Sequence, residues 1–334
     1  MTNRLKTWLL TGGVVLALSA GAVLSGFAIA KMTRKDTPDD TTKEATNEPG
    51  PSESAVPDRT TEAYVDPPTA PTVPEDPTAP VPPVDSGGIR ELTAAELNDI
   101  RGQYASVQKN YYAGGAADQD GRPISCTKFN EAFSELFGNG VHIYQRDTSS
   151  TALTFILVNE YGHTNTALDN LSNQGVMATF FVNRNYAEKN PGIIRRIIDE
   201  GHTLGSLGAT FPDAGFSSLS LEDQMESALS LQRYIKELYQ YDMKLFNYVH
   251  DDYTEQSLAL ITKMGYQVVF YSVKYADYDP NASINTDEFL ETMKKWAHPG
   301  AVYNFHTTNP ASLSVVPQLV SYLKDNGYQV GPLN

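Results

Sequence analysis

Cysteine is nearly absent. Cys126 is the one thiol in 334 residues, which excludes an intrachain disulfide framework and any cysteine-rich zinc site. A single thiol suits either side of a membrane, and Cys126 reads as a small buried apolar residue. Basic charge is also short: 25 Lys and Arg stand against 40 Asp and Glu, a formal net charge of -15. With no clustered Lys/Arg face, nucleic acid is excluded as a partner, because backbone binding needs cations to displace condensed counterions. The deficit is uneven. The stretch 36–87 holds twelve acids against two bases, Lys43 and Arg59, so the rest of the chain is only mildly acidic. That stretch also has few large apolar residues while holding more than half of the prolines. It cannot bury enough surface to offset chain entropy. Residues 36–88 are therefore expected to be a disordered, extended and self-repelling linker.

Charge is missing altogether from Thr7 to Ala30, where Trp8, Leu9, Leu10, Val14, Val15, Leu16 and Phe27 make the chain apolar. The run exceeds the roughly 20 residues that a bilayer span needs, so residues 1–35 are expected to be a single-pass transmembrane anchor with its flanks. Arg4 and Lys6 precede it and Lys31, Arg34 and Lys35 follow, so flanking charge does not set the orientation. An acidic tether ahead of a folded domain fits an extracellular placement. The alternative is secretion after cleavage near Ala30, since Ala28-Ile29-Ala30 fits a cleavage site.

What is present begins near Ile89. Thr93-Ala94-Ala95-Glu96 has the spacing of a capping box and predicts a helix to about Tyr111, the first element of a helical extension over 89–150. From 151 to 334 short β-branched runs alternate with helical patterns. Strands are expected at 152–158, 176–182, 245–249, 268–273 and 300–306. Asn190-Pro191 and Ser220-Leu221-Glu222-Asp223 open helices, and Gly265 and Gly327 stand just past helix ends. Such alternation predicts an α/β domain with a parallel sheet or barrel, whose chemistry collects at strand C-termini.

The motifs in this pattern resemble those of the polysaccharide deacetylases, or NodB homology domains, and within them the delta-lactam-biosynthetic branch. Over 90–334 the likeness is carried by Leu153-Thr154-Phe155, Ala178-Thr179-Phe180-Phe181-Val182, Ile198-Asp199-Glu200-Gly201-His202, Ser272 through Pro280, His298 through His306, and Gly327-Tyr328. The resemblance implies a distorted (β/α) barrel and, in the family, metal-dependent hydrolysis of a sugar N-acetyl group.

The functional positions of those motifs depart from the family. Where the family has T-F-D-[DE]-G, with a general-base Asp and a metal-binding acid, this chain reads Thr154-Phe155-Ile156-Leu157-Val158. Where H-[ST]-x-x-x-H supplies two imidazoles, Leu207 and Phe211 stand. In place of the Arg of R-x-P-x-G, which orients the catalytic Asp, the chain has Asn247. Only His306, at the position of the general acid, is kept. Hydrocarbon side chains cannot coordinate a divalent cation, so the resemblance implies neither a bound metal such as zinc nor the family's turnover.

Three readings follow. The first is a pseudoenzyme that binds cell-wall glycan or an envelope protein partner, with a ligand groove formed by Tyr248, His250, Asp251, Tyr275 and Tyr278. Tyr253, Tyr271, Tyr303, Phe305 and Phe211 widen the same aromatic set. The second is an active hydrolase with a rebuilt site in which His250, Asp251, Asp252, Glu160, His163 and His306 converge. The third is a structural protein-interaction module. His202 is expected to be a hydrogen-bonded framework residue.

Overall fold

The computed structural model of the chain describes residues 88–145 and 149–333. The apolar run and nearly all of the linker expected from the sequence lie outside the described residues. Among those described, no helix is long and apolar enough to cross a membrane.

Eleven strands and nine α-helices are described. Helix α1 (Ala94–Gln103) is opened by the expected capping box, with Thr93 and Glu96 satisfying each other's backbone N–H groups. It stops at Gln103 rather than near Tyr111, because Tyr104 turns extended and Gln256 Nε2 donates to the Arg101 and Tyr104 carbonyls that further helix would have used. The chain then forms β1 (Lys109–Asn110), which pairs antiparallel with β7 (Asp252–Tyr253). Helix α2 (Ile124–Phe137) buries Cys126, whose Sγ lies 3.3 Å from Tyr111 Oη.

The main sheet is parallel. Its path runs β2 (Val141–His142), β8 (Gln267–Val269), β6 (Leu245–Phe246), β5 (Thr203–Ser206), β4 (Thr179–Val182), β3 (Ser150–Leu157), β10 (Val302–His306) and β9 (Val273–Lys274), with β11 (Gln329–Gly331) added to β3. The described residues of the 89–150 extension contribute a strand, β2, to this sheet as well as helices. Between the strands lie α3 (Thr164–Asn173), α4 (Arg184–Lys189), α5 (Pro191–Asp199), α6 (Leu221–Tyr239), α7 (Glu255–Met264), α8 (Thr286–Lys295) and α9 (Ala311–Asp325).

The expected distorted barrel takes the form of a curled half-barrel, open between β2 and β9. The run 268–273, expected to be one strand, explains the shape. Its first part pairs with β6 and β2 at one end of the path, and its last part pairs with β10 at the other. Four peptide steps, from Val269 to Val273, reach at most about 14 Å, so the sheet curls enough for its two ends to come within that distance.

Two histidines brace the N-terminal edge of this sheet. His202, as expected, is buried and accepts a hydrogen bond from Ala178 N at Nδ1, 3.0 Å. His298 Nε2 lies 2.9 Å from Ser272 Oγ, and its Nδ1 lies 2.9 Å from the Pro299 carbonyl oxygen. Burial pushes both imidazoles below the ordinary 6.5. In the window just below 6.5 the unfolded chain then takes up protons that the folded chain refuses, so this contribution is whole above that pH and lost as pH falls toward the depressed folded values. Thermal melting is expected to be flat above about pH 7 and to move down by about pH 5.5, before carboxylates titrate. Equal midpoints at those two pH values would show that neither histidine is held neutral by the fold.

Candidate functional site

Parallel pairing brings the motif positions together at one edge of the half-barrel. Ile156 stands opposite His306 on β10 and Phe181 on β4, Leu157 is opposite Val182, and Leu207 N–H donates to Val182 O at 2.9 Å. Ile156 and Leu157 therefore close β3 beside His306, Leu207 follows β5 on the far side of β4, and all three are buried. Phe211 lies on the following loop with its ring edge-on to His250, centroids 5.6 Å apart. Asn247 is buried and engaged elsewhere, its amide donating to Val269 O at 2.7 Å. It joins β6 to β8 and does not take over the orienting task of the family's Arg. A divalent cation needs oxygen or nitrogen donors. Two leucines and a phenylalanine supply none, so the residues present do not fit the family's metal. Among the described residues no three His, Cys, Asp or Glu side chains form a group that could hold a metal ion.

His306 is held by a residue to which the sequence reading gave no role. Asp277, fully buried, accepts the His306 backbone N–H at 2.9 Å through Oδ2 and faces His306 Nδ1 at 2.7 Å through Oδ1. Ser312 Oγ donates to Oδ2 at 2.6 Å. A carboxylate oxygen accepts, so the Nδ1 side of the imidazole is the one turned toward Asp277. The Tyr278 ring stands edge-on to the imidazole at 6.1 Å. A signal for Asp277 was present in the motif Tyr275-Ala276-Asp277-Tyr278, but its partner is 29 residues away in the chain and no spacing rule links the two.

The other candidate residues are dispersed among separate partners. Asp251 has a left-handed backbone, φ 59°, and accepts from Tyr271 Oη at 2.9 Å and Lys274 Nζ at 2.7 Å. Burial and then the Asp251 charge push the Tyr271 phenol well above its ordinary range. Asp252 is buried against Ser217 and Gln108. Glu160 accepts from Gly162 N–H, Thr164 Oγ1 and Tyr186 Oη; burial acts to raise its pKa, and these hydrogen bonds outweigh it and hold the carboxyl low. Thr164 continues the network to Thr307, beside His306, at 3.1 Å. His163 precedes α3 and His250 is exposed. Each acid is committed to a different set of donors, so the convergence required by a rebuilt site is not formed.

The aromatic groove also changes. Tyr248 is fully buried, stacked on Phe270 at 5.9 Å, and Tyr275 stacks on the core residue Phe289 at 4.3 Å. Tyr253, Tyr271, Tyr303 and Phe305 are buried as well. Tyr278 is 59% exposed, and Tyr161, absent from the sequence reading, is 43% exposed. They sit on the loops after β9 and β3, the two strands that flank β10 and its terminal His306.

A curled parallel half-barrel with a carboxylate-bound histidine at its strand C-termini defines an α/β domain with its candidate site at the strand ends. A sequence model for polysaccharide deacetylase matches residues 145–269. The chain carries a domain of the polysaccharide deacetylase family. Peptidoglycan-N-acetylmuramic acid deacetylase PdaA of Bacillus subtilis is 32% identical over 180 residues, 53% of this chain and 66% of that protein. The match thus spans just under two thirds of that relative. The structure of Bacillus subtilis PdaA, a family 4 carbohydrate esterase, aligns with a TM-score of 0.62 at 23% identity, covering 68% of this chain and 96% of that one. A CE4 family pseudoenzyme from Bacillus anthracis aligns with a TM-score of 0.50 at 17% identity, covering 58% of this chain and 68% of that one. At these identities the two structures establish the fold alone.

Proposed function

We propose that this is a non-catalytic polysaccharide deacetylase-like protein that binds cell-wall glycan from the outer side of a membrane anchor. The observation that carries the reading is the buried trio Ile156, Leu157 and Leu207 at the strand ends where the family's base and metal ligands belong. The peptidoglycan deacetylase relative supports glycan as the ligand class. Tyr161 and Tyr278 offer exposed aromatic faces on either side of His306 for sugar rings to stack on.

Replacing both with Ala removes two stacking surfaces worth about 0.5–1.5 kcal/mol each, so retention on purified peptidoglycan is expected to weaken by about tenfold. Because both rings are exposed, the melting temperature should hold. Equal retention by wild type and the double variant would dismiss this face, and no retention by either would favour a protein partner. The outward placement rests on the charge-free run Thr7–Ala30 and the acidic linker. Protease added to intact, wall-stripped cells should release the domain, and release only after lysis would reverse the orientation.

A further inference from the structure

A cavity lies where the segment after α1 meets the turn 215–220 and the starts of α6 and α7. Its volume is about 340 Å³ and its lining includes Arg101, Ser106, Gln108, Ser217, Gln224 and Gln256. None of these was singled out by the motifs. Arg101 is the charged side chain among the lining residues, and its Nη2 lies 2.5 Å from both carboxylate oxygens of Glu222. The walls are otherwise hydroxyls, amides and two leucines.

The hydrogen-bond directions in the wall decide what can enter. Buried Asp252 accepts the Ser217 hydroxyl proton, the Ser217 N–H at 3.2 Å and Gln108 Nε2 at 3.1 Å. Gln108 Nε2 also donates to Ala214 O at 2.8 Å. Gln224 Nε2 donates to Leu219 O at 2.8 Å and to Ser217 O at 3.4 Å. All three side chains have thus turned their hydrogens into the protein and kept oxygen lone pairs. Gln224 Oε1, on a residue 1% exposed, has no partner at all. Buried acceptors left so are rare and carry a desolvation penalty.

We infer that this cavity is a second binding site, for one neutral sugar residue, whose hydroxyl or acetamido hydrogens meet the Gln108 and Ser217 oxygens. An anion is disfavoured by the same lone pairs, and the one cation in the lining, Arg101, is already paired with Glu222. The volume stands near the lower end of the roughly 300–1,000 Å³ of small-ligand sites, which suits a single ring and not a chain. The need for a donor-rich ligand follows from the wall itself; its identity as a sugar rests on the glycan reading above.

Calorimetric titration of the purified full-length protein with N-acetylglucosamine is expected to show two sites. Ser106, exposed and on the cavity rim, allows the cavity to be filled without entering the core. Ser106→Trp, and independently Ser218→Trp, should abolish one site or weaken it at least about tenfold, while the Tyr161→Ala/Tyr278→Ala protein keeps it. A titration unchanged in both filled variants, or binding wholly lost in the tyrosine double variant, would overturn the inference and leave the cavity to water. Loss of only the cavity site on filling, with no second site in wild type, would sustain the cavity and remove the face at His306 instead.

Discussion

Purified full-length protein is expected to hold no stoichiometric divalent metal after dialysis and to release no acetate from N-acetylglucosamine oligomers. Ile156 and Leu157 at the end of β3 and Leu207 just past β5 are buried hydrocarbon, and Phe211 faces His250. Without a metal to polarise the amide oxygen and acidify water, and without a carboxylate to take the proton, His306 alone has no reaction to complete. The sharper form is a gain of function. Ile156→Asp, Leu157→Asp, Val158→Gly, Leu207→His and Phe211→His, made together, put two carboxylates and two imidazoles back on a framework whose strand register is intact. The apo variant should be destabilised, since buried charges cost several kcal/mol each. Zinc should then raise its melting temperature steeply, because site formation is worth on the order of 10 kcal/mol. Turnover is expected to stay low, because Asn247 remains bound to Val269 O and cannot orient the new Asp. Wild-type protein that binds one zinc tightly, and loses it when His250 or His306 is changed to Ala, would end the pseudoenzyme reading.

Much of this arrangement was legible in the residues because it is local. The capping box at Thr93 and the Ser220 cap act over three residues, and the motif register of β3, β4 and β5 is a matter of contiguous strings. What escaped is what depends on partners. The run 268–273 is uniformly β-forming, and no pattern within it reveals that its halves join opposite ends of one sheet. Helix α1 is cut short by Gln256, more than a hundred residues away in the chain. Tyr248 has the composition of a binding residue and the environment of a core residue, a distinction set by Phe246, Phe216 and Phe270 packed around it. Tyr161 gave no signal because an exposed loop tyrosine acquires meaning only from the strand beside it.

Asp277→Ala is expected to be the most damaging single change in the domain outside the apolar core. The carboxylate is fully buried and accepts three hydrogen bonds, from His306 N, His306 Nδ1 and Ser312 Oγ. Truncation leaves all three donors facing a cavity, and each buried orphan costs about 1–3 kcal/mol. Three such orphans sum to about 3–9 kcal/mol, and the lower part of that range, about 3–5 kcal/mol, matches breaking a buried ion pair from one side. For a domain of this size that lowers the melting temperature by roughly 10 °C. His306→Ala should cost less, because Ser312 and the residue-306 backbone N–H still reach the carboxylate. Asp277→Asn should also cost less, since the amide oxygen can accept from two of the three donors while its NH2 group faces the third. The ordering separates a framework role from an inherited catalytic one: in a framework pair Asp277→Ala melts lowest and Asp277→Asn lies between it and wild type. If Asp277→Ala melts within about 2 °C of wild type, the carboxylate is not what holds β10, the loop after β9 and α9 together at the candidate site.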